Sequence, residues 1–460
     1  MDSIAGSKEF LGTEKISTLL WKLAIPSVVA QLVNLLYNMV DRIFIGHMGE
    51  SGDLALTGVG VCMPVILLIS AFAQLVGMGG APRASIFLGK KDVKSANQIM
   101  GNCFVFLLGI GVVLAGVFLV LGRDMLFWFG ASENTIEYAQ QYLQIYVLGT
   151  VFVQLALGMN LFITAQGFTK FSMISVLIGA GLNIILDPIL IFGFHMGVRG
   201  AALATIFSQA VSALWVILFL CGKKGQLQLK KEHFRLRANI LLPCLALGVS
   251  PFVMQSTESV LNICFNSSLL KYGGDTAVGA MTILATIMQF SMLPLSGLTQ
   301  GAQPITGYNF GAGNMKRVKQ SFVLLLKVCL IYSMALWALV MLFPQMFIRI
   351  FNSDPELVAY ASRMLRIYFM AAGIFGIQIA CQQTLVALGN AKTSVFLAVL
   401  RKLILLIPLI YLLPLLFEEK DMAVFLAEPV ADLIAVVTTA SLFAHQFRKI
   451  MRPKEKEACR

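Results

Sequence analysis

Apolar windows, set off by glycine, proline and charge, recur along the whole chain. They predict spans near 17–45, 54–80, 97–121, 137–165, 170–193 and 199–221, and in the second half near 238–265, 277–303, 317–343, 357–387, 393–416 and 421–444. All are expected to be helices, because lipid offers unpaired backbone groups no other partner. A span needs about 20 residues, so twelve use roughly 240 of the 460 and leave about 18 per span for extensions and connections. The fold class read from this pattern is an all-α membrane protein of twelve transmembrane helices joined by short loops.

Composition sharpens the picture. The chain is 58% apolar and 13% charged, against roughly 45–50% and about 25% in soluble domains. That excess does not fit inside a globular core. It argues against a large soluble domain, against a nucleic-acid partner despite the +12 net charge, and against a secreted disulfide scaffold. The first eighteen residues mix Lys8, Lys15, Glu9 and Glu14 with small polar residues, so no signal peptide is expected. Cysteines 62, 103, 221, 244, 264, 329, 381 and 459 stand singly, without a CxxC pair, and read as small core hydrophobes. His47, His195, His233 and His445 fall near loops or span ends and supply no ligand cluster for a metal.

The charges also orient the spans. Counted together with charges within four residues of a span end, the N-terminus, the even-to-odd connections and the C-terminus hold 23 Lys and Arg, while the six opposite connections hold one each. By the positive-inside rule, both termini and the 222–237 connection, GKKGQLQLKKEHFRLR, are expected to be cytoplasmic in a multi-pass protein of the cell (inner) membrane. That basic run is read first as a topological anchor; a protein partner or anionic lipid is the other reading.

The two halves match at one offset. Pro82, Gly89 and Lys94 correspond to Pro304, Gly311 and Lys316, and Gly167, Lys170 and Ser172 to Gly389, Lys392 and Ser394, each pair 222 residues apart. Pro26 and Pro251 pair at 225. The expected organisation is an N-lobe at 1–221, a cytoplasmic basic linker at 222–237, a C-lobe at 238–444 and a basic cytoplasmic tail at 445–460. With six spans each, the lobes share one orientation and are related by a pseudo-two-fold along the membrane normal. Paired lobes around a cavity are what alternating access requires.

Ionisable groups at span depth cost about 2.5–3.5 kcal/mol each on insertion scales. Asp41, Asp187, Glu258, Glu428 and Asp432 therefore face the interior or water rather than lipid. Asp41 and Asp187 both fall about two-thirds of the way across outward-running spans. Asn183, four residues before Asp187, shares its helix face, and Pro188 frees a nearby carbonyl. With Asn160 and Thr205 these residues offer oxygens of the kind that hold a hard cation, or two carboxylates that exchange a proton. A capped, hydrogen-bonded helix break is the structural alternative.

Asp432 lies about twelve residues, and Arg401 about eight, from the cytoplasmic ends of their spans. At 1.5 Å per residue their depths differ by only about 6 Å. A structural ion pair is expected, which Glu428, one turn away, would join. Tyr37 on the first span, with Met254, Gln255, Glu258, Met281, Met288 and Gln289, forms the candidate substrate-binding set. Near them lie Asn262, Phe290 and Met292. Methionines repack around varied shapes, although core or lipid contact is their default role.

The segments YNMVDRIFIG, GGAPRASIFLGKKD, LNIILDPILIFGFHMGVRGAALATIFSQ, LPLSGLTQGAQPITGYNFGAGN and RKLILLIPLIYLLP resemble those of multidrug and toxic compound extrusion (MATE) transporters of the MepA-, NorM- and DinF-like branch, over nearly the whole chain. The resemblance implies an N-lobe cation or proton site at Asp41, Asn160, Asn183, Asp187 and Thr205, with Asp41, Asn183 and Asp187 as the candidate Na+ ligands. The C-lobe departs from some relatives. Its tenth span carries Gln378, Gln382 and Gln383 and no acid, so Glu258 is expected to face cationic substrate instead of completing a second ion site.

The reading is a monomeric secondary antiporter that exports small lipophilic, often cationic drugs and dyes from among the membrane lipids, in exchange for Na+ or H+, with no cofactor. No GxxxxGK[ST] sequence supplies an ATP motor. A lipid-linked precursor flippase of the same superfamily would favour a wide basic cavity. An intramembrane enzyme lacks an HExxH or GxSxG motif here and leaves the repeat unexplained.

Overall fold

The computed structural model describes residues 9–48, 52–351 and 354–458, with side chains as far as Met451. Lys8, Cys459 and the side chains of the tail beyond Met451 lie outside them. Among the described residues there is no strand. The long helices are α1 (Ile16–Gly46), α2 (Met63–Gly89), α3 (Val93–Trp128), α4 (Ile136–Leu148 and Thr150–Ala165), α5 (Thr169–Gly193) and α6 (Val198–Cys221), followed by α7 (Ala238–Gly311), α8 (Met315–Leu342), α9 (Pro355–Tyr368 and Ala372–Ala387), α10 (Ala391–Leu415) and α11 (Lys420–Met451). Nine of the described helices are long and apolar enough to cross a membrane, or eleven if the bent pairs α4 and α9 each count as one.

Helix α7 has 74 residues, about 110 Å if straight. It is two helices joined across a kink at Gly274, whose φ of 64° and ψ of −160° belong to a region that essentially only glycine enters. The expected continuous spans at 137–165 and 357–387 are bent, by 59° and 45°. The second expected span is also displaced. A short helix, Gly52–Val61, precedes α2, and residues 81–89, expected to open the basic connection, are its mostly buried final turns. Small residues among them, Ala81, Ala84, Ser85 and Gly89, let another backbone come close.

The outer faces are apolar. On α3, Val112, Val113, Val117, Val120 and Leu121 are all exposed, an apolar stripe that needs an apolar solvent. Inside, one buried cluster belongs to the N-terminal half, around Ile45, Val65, Leu143 and Ile206. A second belongs to the C-terminal half, around Phe265, Leu284, Leu365 and Phe425. A third joins both halves, from Leu19 and Val76 to Leu295 and Ile305.

That shared cluster lies toward the end carrying the N-terminal segment and the 222–237 connection, and glycines shape it. A Cβ at Gly89 would overlap the Tyr308 carbonyl, and one at Gly311 the Ile86 carbonyl. Positions 86 and 308, like 89 and 311, are 222 apart, so the contact is self-complementary in the manner of a two-fold interface. Gly79 meets Cys244 of α7, and its equivalent Gly301 meets Ala24 of α1. The same offset recurs in the backbone. Lys91 and Gly313 have φ of 61° and 76°, and Gly167 and Gly389 have 86° and 77°. Asp92 and Asn314 each cap the following helix, accepting from the N–H of Ser95 and Arg317. Those Ser95 bonds hold the Asp92 carboxyl below the usual carboxylate range.

The seam is clasped from outside. Arg317 donates to Asn309 at 3.0 Å, to the Leu11 carbonyl at 3.2 Å and to the Glu14 carbonyl at 2.6 Å. The 222–237 connection is likewise docked: the backbone N–H groups of Leu227, Gln228 and Arg237 donate to Gln166, Asn97 and Asn102. Gly311→Val, forced against the Ile86 carbonyl, is expected to destabilise the closed seam by about 1–3 kcal/mol. A thiol probe placed at Ser85, beside the seam, should then label faster from that end; unchanged labelling would contradict the close approach.

Candidate functional site

Two polar clusters occupy the interior, one in each half of the chain. In the first, Asn183 and Asp187 stand on one face of α5, with Asp187 fully buried and Asn183 nearly so. Pro188 follows, and α5 widens into a π-helical turn, Ile189–Gly193, because a proline ring cannot continue the ladder. The Asn183 amide donates to Asp187 Oδ1 at 3.2 Å and to Thr205 Oγ1 of α6 at 3.3 Å. Asp41, on α1, faces Asp187 closely enough for the two carboxyls to interact.

Both amide protons of Asn183 are thus committed, while Asp41 Oδ1, Asn183 Oδ1 and Asp187 Oδ2 are buried with no hydrogen-bond partner. Unpaired buried oxygens are costly. Two facing carboxylates are stable together only with a proton or a cation between them. The donor set, carboxylate and amide oxygens with a hydroxyl, suits a hard cation.

Tyr37 joins this cluster, one turn before Asp41 and beside Asp41 and Asp187. The structure therefore sets it with the acids, apart from the other candidate substrate residues. Asn160 is held differently. Its Nδ2 donates to the Ser172 carbonyl at 3.3 Å and its Oδ1 is unpartnered, so the bonds that link Asp187, Asn183 and Thr205 do not include it. Sequence reasoning missed Tyr142 of α4, buried beside Thr205 and Asp41 and stacked at 6.0 Å on Tyr146. Two tyrosines four apart in an apolar span were the available signal.

In the second half, Arg401 Nε donates to Asp432 at 2.6 Å and its Nη2 to Glu428 at 2.9 Å, with the guanidinium 4.5 Å from the Phe375 ring centroid. All three charged side chains are almost entirely buried. Lys402, the next residue, bonds Glu258 at 2.7 Å. Consecutive residues on an α-helix normally face different directions, but both lie in a π-helical stretch, Leu400–Leu406, and both point inward.

Glu258, expected to face cationic substrate, already holds an ammonium on one side. Arg401's inward neighbour was the overlooked clue. Met281 and Met288, candidates for a substrate surface, are packed in the core with Leu261, Phe265 and Ile287; every face of a helix buried among others is apolar, so spacing did not reveal which one opens on a cavity. Met254 and Gln255 are half-buried and Gln289 is exposed. Met254 Sδ accepts from Gln382 at 3.5 Å, and Gln382 also donates to Ser250 at 3.1 Å. No group of three or more His, Cys, Asp and Glu residues that could hold a metal occurs among the described residues.

Comparison with known proteins agrees with this architecture. The MatE family model matches twice, at residues 26–189 and 251–412, beginning on the paired Pro26 and Pro251. The chain belongs to the MatE family. Curated relatives include the multidrug export protein MepA of Staphylococcus haemolyticus, 28% identical over 422 residues covering 91% of this chain and 92% of that one, and MepA of Staphylococcus aureus, 26% identical over 418 residues covering 90% and 91%.

Among solved structures, MATE in the bent conformation superposes with a TM-score of 0.91 at 21% identity, covering 98% of this chain and 99% of the other. The outward-facing conformation of a multidrug resistance MATE family transporter of the MOP superfamily gives 0.90 at 22%, covering 97% and 98%. The protein is a multi-pass membrane transporter of the MepA type and not an enzyme.

Proposed function

We propose that the chain is a secondary antiporter that exports lipophilic, often cationic compounds in exchange for Na+ or H+ bound by Asp41, Asn183, Asp187 and Thr205, with Asn160 and Tyr37 at the margin of that site. The observation that carries this reading is the set of three buried, partnerless oxygens on Asp41, Asn183 and Asp187 in a chain of the MatE family. Counting the arms of α7 on either side of Gly274 separately raises eleven spans to twelve, six before the 222–237 linker and six after it. The recurring offset of 222 supports two lobes, 1–221 and 238–444, about a pseudo-two-fold along the membrane normal.

Charge asymmetry supports cytoplasmic termini and a cytoplasmic 222–237 linker and 445–460 tail in the cell membrane. With that orientation the glycine seam closes the cytoplasmic side, as in an outward-facing state. The drugs and dyes would reach the protein as a monomer among membrane lipids, and no resident cofactor is required. Three carboxylates against two cations in the second cluster favour this reading over a lipid-linked precursor flippase, whose substrates would call for a basic cavity.

Expression in an efflux-deficient bacterium provides the test. The wild type should raise resistance to ethidium and tetraphenylphosphonium, and Asp187→Asn at equal abundance should not. Resistance unchanged by the wild type would argue against multidrug export.

A further inference from the structure

Glu258 and Lys402 form an asymmetric pair. Their atoms meet at 2.7 Å, yet the lysine side chain is 8% accessible and the glutamate 47%. The ammonium sits behind the carboxylate, and the carboxylate is the face that opens. Glu258 lies some twenty residues into α7, too deep for an ionised group to face lipid cheaply, so its open side looks onto interior space. The remaining charges nearby are committed to one another: Arg401 to Asp432 and Glu428, all three buried.

We propose that Lys402 is a specificity-determining residue, a tethered ammonium behind Glu258 that weakens the hold of this surface on permanently cationic substrates. The inference rests on the export reading above and deepens it. A cation docking on the open side of Glu258 meets the carboxylate at about 4 Å and the ammonium at about 7 Å, so by the 1/r law the lysine cancels over half of the attraction. A neutral compound of the same shape feels neither charge strongly. Lys402 thereby narrows the difference in affinity between charged and uncharged ligands, which suits a pocket that takes both.

The test compares labelled tetraphenylphosphonium with labelled triphenylphosphine oxide, a neutral molecule of similar aromatic shape, on the full-length protein purified in detergent. Lys402→Met should tighten tetraphenylphosphonium by about tenfold and leave triphenylphosphine oxide nearly unchanged. Lys402→Arg should behave as wild type. Glu258→Gln, which leaves the lysine bare, should weaken the cation and not the neutral ligand, and adding it to Lys402→Met should erase the gain. This last pair keeps the question open to refutation if either single variant folds poorly. Equal shifts for both ligands, or no shift in Lys402→Met that binds normally, would overturn the inference while leaving the export reading intact. Absence of binding and export by the wild type would overturn both.

Discussion

Asp41→Asn is expected to abolish ion-driven export while the protein remains folded in the membrane. The substitution keeps the shape of the side chain but removes an anionic oxygen from a cluster where Asp41 Oδ1, Asn183 Oδ1 and Asp187 Oδ2 have no donor. With one carboxylate gone, the site loses the charge that attracts Na+ and the acid that exchanges a proton. A loss of about a hundredfold in transport rate, equivalent to about 2.8 kcal/mol, is expected. Asp187→Asn should do the same, and the double variant should be little worse than either, because groups acting as one unit do not contribute additively. Stability should not fall, since two facing carboxylates repel until something binds between them. Wild-type export by Asp41→Asn at equal abundance would remove the cluster from the mechanism.

Arg401→Met should cause the largest loss of stability. The guanidinium serves Asp432 at 2.6 Å and Glu428 at 2.9 Å in a buried setting, and its removal leaves two buried carboxylates without the partner that bonds them both. Breaking a buried pair in this way costs about 3–5 kcal/mol. Replacing all three by neutral residues, as Arg401→Met with Glu428→Gln and Asp432→Asn, should recover most of that loss, because no uncompensated charge remains. Thermal melts in detergent separate the cases. A single variant that melts with the wild type would mean that the network adds nothing to the fold.

Much of this was legible in the sequence because charge in an apolar run is conspicuous. Asp41 and Asp187 stood out by depth and spacing, and Arg401 and Asp432 by similar depth from one membrane face. The repeat was visible in Pro and Gly pairs, and those residues turned out to make the close contacts and positive-φ turns that the offset relates. What the sequence concealed was direction. Met281 and Met288 pack inward while Gln289 is exposed, because a helix surrounded by other helices carries no stripe to read.

Lys402 was hidden by its neighbour. Consecutive helical residues normally point apart, yet in this π-helical stretch Arg401 and Lys402 are both buried. The bends of α4 and α9 had no proline to announce them; Gly149 and the 369–371 segment interrupt apolar runs without interrupting hydropathy. The displaced end of α2 arose because small residues at 79–85 read as a loop boundary and act as a packing surface.

The coupling claim is tested most directly in proteoliposomes loaded with tetraphenylphosphonium, across which a Na+ gradient or a pH gradient is imposed one at a time without a membrane potential. The account predicts that one of the two gradients drives tetraphenylphosphonium movement opposite to the ion, and that Asp41→Asn and Asp187→Asn abolish it. Movement indifferent to both gradients, or gradient-driven movement that survives both substitutions, would contradict it.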